Sequence, residues 1–465
     1  MKRFCLAGVL FLGLCLLSGC GESEYADIGE AIRIGAVLGE NIVINDIDVS
    51  GMGVAEARRK LMAAQEAYLA QLQYEIHAGA DTVHINALEL GTYTDLDDVL
   101  MDALKVTRYY PGRNPARSFS TSIIIDEQRV MQQAENIAAV LYVAPVNASA
   151  QYDRAAEGYF TYTEGQDGRR LDAACLGDQL LVALQAESSA SIEASVDAVP
   201  AEYTTEQARA DTQLIAAFST SFAGSTYSRS NRVYNIEKAA SMIDGTVVAP
   251  GEEFDMNAIL GPRNEKNGWK EATGIRDGAY VQEYGGGVCQ VSSTLYNAVL
   301  MADLTVTDRT HHSWPLGYID IGRDATISTG GPNFKFQNTQ PVPITVSAAT
   351  DTKNKTVSVS IYGRPLADGM TIRISSQKVE TLESPGVEYV KDNTLAPGTE
   401  TVVRKPRTGS VSMTYKEYYD AQGNLLRKEQ VTRDKYRSIK GITHVGPGVS
   451  AAMAGIAGEQ AQPGD

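Results

Sequence analysis

The chain has little of what many specialised proteins depend on. Its 465 residues hold five cysteines, five histidines and two tryptophans. Cysteine is too sparse for a disulfide framework, and no C-x-x-C or H-x-x-x-H spacing is present to organise a zinc site. Positive charge is short as well: 41 Lys and Arg against 57 Asp and Glu leave a net charge of −16. That balance argues against a nucleic-acid partner, which asks for a basic patch, and against a surface held to anionic lipid by charge alone. It does not identify a substrate. The apolar run from Phe4 to Leu17 falls short of the ~20 residues of a membrane-spanning helix. What remains is the composition of a soluble globular protein, 43% hydrophobic and 21% charged, with length for two to four domains.

One stretch organises the rest: Tyr284-Gly285-Gly286-Gly287-Val288-Cys289-Gln290-Val291-Ser292-Ser293-Thr294-Leu295-Tyr296. Three glycines predict a sharp turn and a close approach of another part of the chain. A helix is expected to start at or beside Cys289, because Val288, Val291, Leu295, Ala298 and Ala302 recur at three- and four-residue steps and can bury one face. Cys289 then lies in the first turn, where free N–H groups and the positive dipole end favour a thiolate. A buried structural cysteine is the competing interpretation, and the preceding glycines favour the functional one.

Lys2 and Arg3 open the chain with positive charge, and the apolar run after them ends at Leu17-Ser18-Gly19-Cys20. This ending is similar to the lipobox of bacterial lipoproteins, in which the cysteine is acylated and becomes the first residue. The resemblance implies a signal peptide over 1–19, lipidation of Cys20, a polar tether over 20–35, and anchorage on the outer face of the cytoplasmic membrane. An uncleaved anchor helix is the alternative; either way the protein works outside that membrane. With Cys5 and Cys15 in the signal, only Cys175 and Cys289 remain in the folded part. They are not expected to pair, because Cys175 lies in a helix-like run, Leu171 to Leu184, of what reads as a different domain.

From residue 36 to 210 strand-like and helix-like segments alternate. Ile42 to Met52 alternates and ends in a turn, and Ser50 or Gly51 is expected to cap a helix carrying Val54, Ala57, Leu61, Tyr68 and Leu72. Asp126 is expected to cap a helix with Val130, Ala134, Ile137 and Leu141 on one face, and Ile192 to Val199 reads as one strand. Ile47-Asp48-Val49-Ser50-Gly51 and Pro145-Val146-Asn147-Ala148 resemble the peptidoglycan-binding domain found upstream of VanW domains. A spacer without a ligand is the alternative.

After Phe218 the character changes. Asn231 to Ile236, Val247 to Asn257, Leu260-Gly261-Pro262-Arg263, Gly268-Trp269, the Cys289 stretch, His311-His312-Ser313-Trp314-Pro315 and Gly322-Arg323-Asp324-Ala325-Thr326 follow in order. Over roughly Phe218 to Thr345 this series closely resembles a VanW domain, assigned here to 211–365. The segment 370–445 resembles the five-glycine wall module, though with few of its glycines, and 446–465 is a Gly/Ala-rich tail expected to be disordered. The fold class is therefore α+β and multidomain: N-terminal α+β modules, a mixed VanW domain with its cysteine at a helix N-terminus, and a small all-β module.

A nucleophilic cysteine needs a base, a group to orient that base, and donors for an oxyanion. After Cys289 the chain offers His311 and His312, then Asp324. In the family pattern the histidine stands just before serine, so the resemblance selects His312. Backbone N–H groups from Gly286 and Gly287 to Gln290 are oxyanion candidates, and Arg323 is a candidate for a substrate carboxylate, with a surface ion pair as its alternative. Ser292 and Trp314 are further candidate substrate contacts, although Ser292, Ser293 and Thr294 can equally pack or cap. Zinc held by Cys289, His311 and His312 is disfavoured, because adjacent histidines do not easily face one ion; no metal or other cofactor is expected.

Some VanW domains have been assigned L,D-transpeptidase activity. The resemblance therefore implies peptidoglycan stem peptides as partners and acyl transfer through Cys289, His312 and Asp324. A peptidase using the same residues and a non-catalytic wall-binding scaffold are the rivals. Lipid anchorage is testable first: Cys20→Ala should release the protein from the membrane fraction, whereas retention with an intact N-terminus would establish the anchor helix.

Overall fold

The computed structural model describes residues 25–109, 116–224, 229–276 and 279–449. The expected signal segment, Cys20 and residues 450–465 of the expected tail lie outside the described residues. Helices and strands are mixed through most of the chain, and from Thr371 to Val445 the regular structure is β apart from turns. No helix among the described residues is long and apolar enough to cross a membrane.

The chain divides into two units. The first combines residues up to Val146 with Asp167–Ala201; the second combines Asn147–Gln166 with everything from Glu202. The first unit has two apolar cores. One gathers Ile42, Ile44, Val54, Ala57, Leu61, Leu96 and Leu100, the other Tyr74, Ile76, Val130, Ala134, Leu176 and Leu180. Asp126 caps Glu127–Leu141 by accepting from the Arg129 N–H, as expected. The helix Val54–Gln71 is capped differently from expectation. Gly53 stands at its N-cap without a side-chain bond, because the Ser50 hydroxyl is already taken by Asp48 and the backbone at Ile42. Ile192 to Val199 is two strands, Ala190–Glu193 and Val196–Val199, which join different sheets: the first runs parallel to Gln73–Ala78, the second antiparallel to Gly168–Leu171.

The hairpin Ser149–Tyr152/Phe160–Thr163 lies within the range expected for the N-terminal region, yet it packs in the second unit. Tyr152 and Arg154 hydrogen-bond Asp244, and Phe160 meets the Tyr362 ring edge-on. Within this unit four antiparallel strands run in the order Gln213–Ser221, Thr356–Gly363, Ile344–Asp351, Thr246–Val248. Asp351 to Lys355 forms the turn of the expected hairpin.

The helix Val288–Met301 packs on this sheet and is also met by the helix Ser230–Ile243 and by strands Thr305–Arg309, Phe334–Gln337 and Thr371–Leu382. Its periodicity predicted one buried face, but every residue from Gln290 to Leu300 is buried. The side chains of Gln290, Ser292, Ser293, Thr294 and Asn297 survive there because each has a bond. Gln290 donates to Thr220 and the Ser221 carbonyl, Thr294 to the Gln290 carbonyl, and Asn297 to the carbonyls of Ser293 and Arg323. Leu295→Ala should therefore cost about 2–5 kcal/mol, while Leu426→Ala on an exposed strand should stay within about 0.5 kcal/mol. Denaturant unfolding of the two variants measures the contrast.

Candidate functional site

Two of the three glycines before Cys289 adopt conformations that other residues resist: Gly285 has φ 82° and Gly287, the N-cap of the helix, has φ 108°. Close packing excludes side chains here as well. A Cβ on Gly286 would stand 2.6 Å from the Ala272 carbonyl oxygen, and one on Gly287 2.8 Å from Arg232 Cγ. Asn235 locks the turn by donating to the carbonyls of Lys270 and Gly286. Cys289 is thereby fixed as the second residue of the helix, partly exposed, on the wall of a cleft of about 890 Å³.

His312 and Asp324 come to the same place from the loops that follow Thr305–Arg309. Two buried serines bring Asp324 in. Ser292 Oγ donates to the Ala325 carbonyl at 2.6 Å, and Ser293 Oγ accepts from the Ala325 N–H at 3.0 Å. Asp324 Oδ2 then stands 2.6 Å from both the backbone N–H and ring Nδ1 of His312. The Cys289 sulfur lies 3.4 Å from the Ile327 carbonyl oxygen and 3.7 Å from Thr326 Oγ1, and His312 stands close enough to act on the thiol electrostatically. His311 also borders the cleft, but its Nδ1 lies 2.7 Å from the His312 carbonyl oxygen and its ring packs on Tyr436.

Charge follows from these contacts. Burial opposes the Cys289 thiolate, but the neighbouring His312 and its positive charge outweigh it and bring the thiol below its usual value. Burial likewise opposes the His312 imidazolium, yet Asp324 and Cys289 hold its proton up to about 9. Asp324 is drawn down to about 2 against its own burial, chiefly by His312. These directions favour a thiolate beside an imidazolium beside a carboxylate.

The other predicted residues are distributed as follows. Gly286, Gly287 and Gln290 border the cleft, but the Gln290 side chain is buried and accepts from Arg232 at 2.8 Å. Ser292 is fully buried and bonded as described. Arg323 pairs with Asn297 at 2.7 Å and Asp320 at 3.2 Å and lies over the Phe218 ring. Trp314 is buried beneath the Arg407 guanidinium, 4.4 Å from its ring centre. Neither Arg323 nor Trp314 borders the cleft; Arg232 and Arg263, which do, are cations the sequence pattern left unmarked as site residues. No group of three or more His, Cys, Asp or Glu that could hold a metal ion occurs among the described residues.

The most consequential omission is Tyr436, at the end of the strand Leu425–Tyr436. Its fully buried hydroxyl donates to Asp324 Oδ1 at 2.5 Å and accepts from the Gly322 N–H at 2.9 Å. Burial and the Asp324 charge push its pKa far up, so it remains a donor. Next to it Asp434 grips Arg309 with both oxygens at 2.7 Å, and Arg309 Nη2 lies 3.5 Å from Asp324.

Residues 231–362 match the family described as VanW like protein. Tyr436 and Asp434 lie beyond this VanW-like segment. The uncharacterized protein YoaR of Bacillus subtilis is 43% identical over 145 residues, 30% of this chain and 48% of YoaR. The vancomycin B-type resistance protein VanW of Enterococcus faecalis is 26% identical over 168 residues, 35% of this chain and 57% of that protein. The chain thus spans about half the length of these curated relatives. Among solved structures, an IgA1 protease G5 domain overlaps 17% of this chain and 90% of its own at 15% identity, with a TM-score of 0.14. An Enterococcus faecium L,D-transpeptidase overlaps 48% and 75% at 9% identity, with a TM-score of 0.16. Overlaps this loose transfer neither a fold nor an activity.

The Tyr436 contact has a measurable sign. A carboxylate held low in the folded state adds stability above its unfolded value, and that stability disappears as pH falls through the folded value, about 2 for Asp324. Tyr436→Phe removes one donor, so it should lose about 1–2 kcal/mol at neutral pH and unfold at a higher pH on acidification. Circular dichroism during acid titration reads both effects.

Proposed function

We propose that the chain is a cell-wall lipoprotein whose VanW-like segment carries out cysteine-dependent acyl transfer on peptidoglycan stem peptides, in the manner of an L,D-transpeptidase. The observation that carries this reading is Cys289 and His312 on the wall of one cleft, with the buried Asp324 bonded to the His312 ring behind it, the thiol value lowered and the imidazole value raised. The likeness of the VanW-like segment to a vancomycin resistance protein supports a wall substrate. In the same reading 36–210 binds peptidoglycan, 370–445 is a five-glycine-type wall module, and lipid on Cys20 anchors the protein outside the cytoplasmic membrane.

The Cys289 thiolate attacks the carbonyl of the third stem residue. The N–H groups of Val288 and Gln290 already donate to the carbonyls of Gly285 and Gly287, which leaves those of Gly287 and Cys289 for the developing oxyanion. His312 delivers its proton to the departing amine of the terminal D-alanine, and a thioester remains on Cys289. An amine from a neighbouring stem then attacks the thioester while His312 takes up its proton, giving a 3–3 cross-link and free thiolate. Asp324 fixes the ring and stabilises its charge throughout. A scaffold that binds wall without chemistry is the second reading, favoured by the buried, bonded state of Gln290 and Ser292, which makes them structural.

Cys289→Ser should abolish cross-link formation, and His312→Ala should lower turnover by about a hundredfold or more, the scale of a lost general acid–base. His311→Ala should change it far less. Product analysis with tetrapeptide stems measures all three; wild-type cross-linking by the Cys289→Ser protein would leave the scaffold in place of the enzyme.

A further inference from the structure

Arg263 is a charged group in the cleft that acyl transfer through Cys289 leaves without a role. It lies just past the short helix Met256–Leu260. Its side chain enters the cleft across Gly285, where a Cβ would stand 2.7 Å from Arg263 Cγ. The near parts of the residue are fixed. Its N–H donates to Thr329 Oγ1 at 2.9 Å, and Nη1 donates to the Gly261 carbonyl at 3.0 Å. Nη2 of the same guanidinium is buried and has no hydrogen-bond partner among the described residues.

The other cleft and site arginines have acceptors. Arg232 donates to Gln290, Arg309 to Asp434, and Arg323 to Asn297. A buried guanidinium nitrogen without an acceptor is costly, and such a group is explained when a ligand brings the acceptor. Burial also works against the Arg263 charge, while Cys289 and Glu283 lie close enough to act on it electrostatically. A planar cation with open N–H groups beside a nucleophile suits a carboxylate, which it can grip at two oxygens.

We propose that Arg263 anchors a carboxylate of the acyl donor, so that the cleft selects peptides with a free carboxylate beside the scissile carbonyl. The peptide part of this proposal rests on the acyl-transfer reading; the carboxylate subsite rests on the Arg263 geometry alone. It moves carboxylate recognition from Arg323, which is committed to Asn297 and Asp320, to an arginine on a different loop.

Two alkylating agents separate the subsite from the chemistry. With iodoacetate and with iodoacetamide the Cys289 thiolate displaces iodide and forms the same C–S bond, but only iodoacetate carries a carboxylate. The ratio of the two rates cancels any change in thiolate fraction. Arg263→Gln should lower the iodoacetate-to-iodoacetamide ratio at Cys289 by about tenfold, the loss of one charge-assisted contact, with no change at Cys175. Arg263→Lys, which keeps the charge without the fork, should fall between. In the wild-type protein N-acetyl-D-alanine should slow Cys289 alkylation by iodoacetamide, and N-acetyl-D-alaninamide should not. An unchanged ratio in folded Arg263→Gln, or equal protection by acid and amide, overturns the proposal. A shifted ratio without acylation by stem peptides keeps the carboxylate subsite and removes acyl transfer. Acylation with an unchanged ratio does the reverse.

Discussion

The carboxylate of Asp324 is the contact on which the rest of the site depends. It is buried, and a lone charge there would be strongly unfavourable, so the fold surrounds it with the His312 ring and backbone N–H groups, the Tyr436 hydroxyl and the Arg309 guanidinium. Each of these contacts favours the ionised form. An ionised Asp324 keeps His312 protonated, and a protonated His312 lowers the Cys289 thiol. The chain of causes runs from the interior outward to the cleft. The buried acid comes first and the reactive sulfur last.

Two parts of the fold make this possible. The helix Val288–Met301 is enclosed on all sides, so its N-terminus and Cys289 have little freedom to move. Its inward polar residues are connectors: Ser292 and Ser293 hold the backbone beside Asp324, and Asn297 holds Arg323. The C-terminal β stretch supplies the second part. Tyr436 and Asp434 come from a strand outside the VanW-like segment, and they complete the surroundings of Asp324 and Arg309. That segment alone would leave both charges short of partners.

Much of this was legible in the sequence because it is local. Glycines followed by a three- and four-residue apolar period located the helix start within a residue of Cys289, and the expected hairpin near Asp351 follows from alternation around a polar turn. His312 and Asp324 lie twelve residues apart in one loop region, so their pairing was within reach of motif order. What failed was the direction of side chains and the long-range contacts. Arg323 stands beside Asp324, yet successive residues point different ways, and it turns to Asn297. Trp314 is drawn under Arg407. Arg263 closes the motif Leu260-Gly261-Pro262-Arg263, which by itself assigns it no role, and Tyr436 ends a strand 112 residues beyond Asp324, where no local pattern links the two. The helix looked one-sided because its buried polar residues resemble a solvent face until their partners are known.

The central physical claim is that Cys289 and His312 form a thiolate–imidazolium pair held by Asp324. Ultraviolet thiolate absorbance against pH, taken as wild type minus Cys289→Ser, measures it most directly. The expected titration lies below the ordinary cysteine value of about 8.5, with the His312 ring proton, followed by NMR, retained to about 9. A Cys289 thiol that ionises at the ordinary value, beside a His312 that is neutral at pH 7, would contradict it.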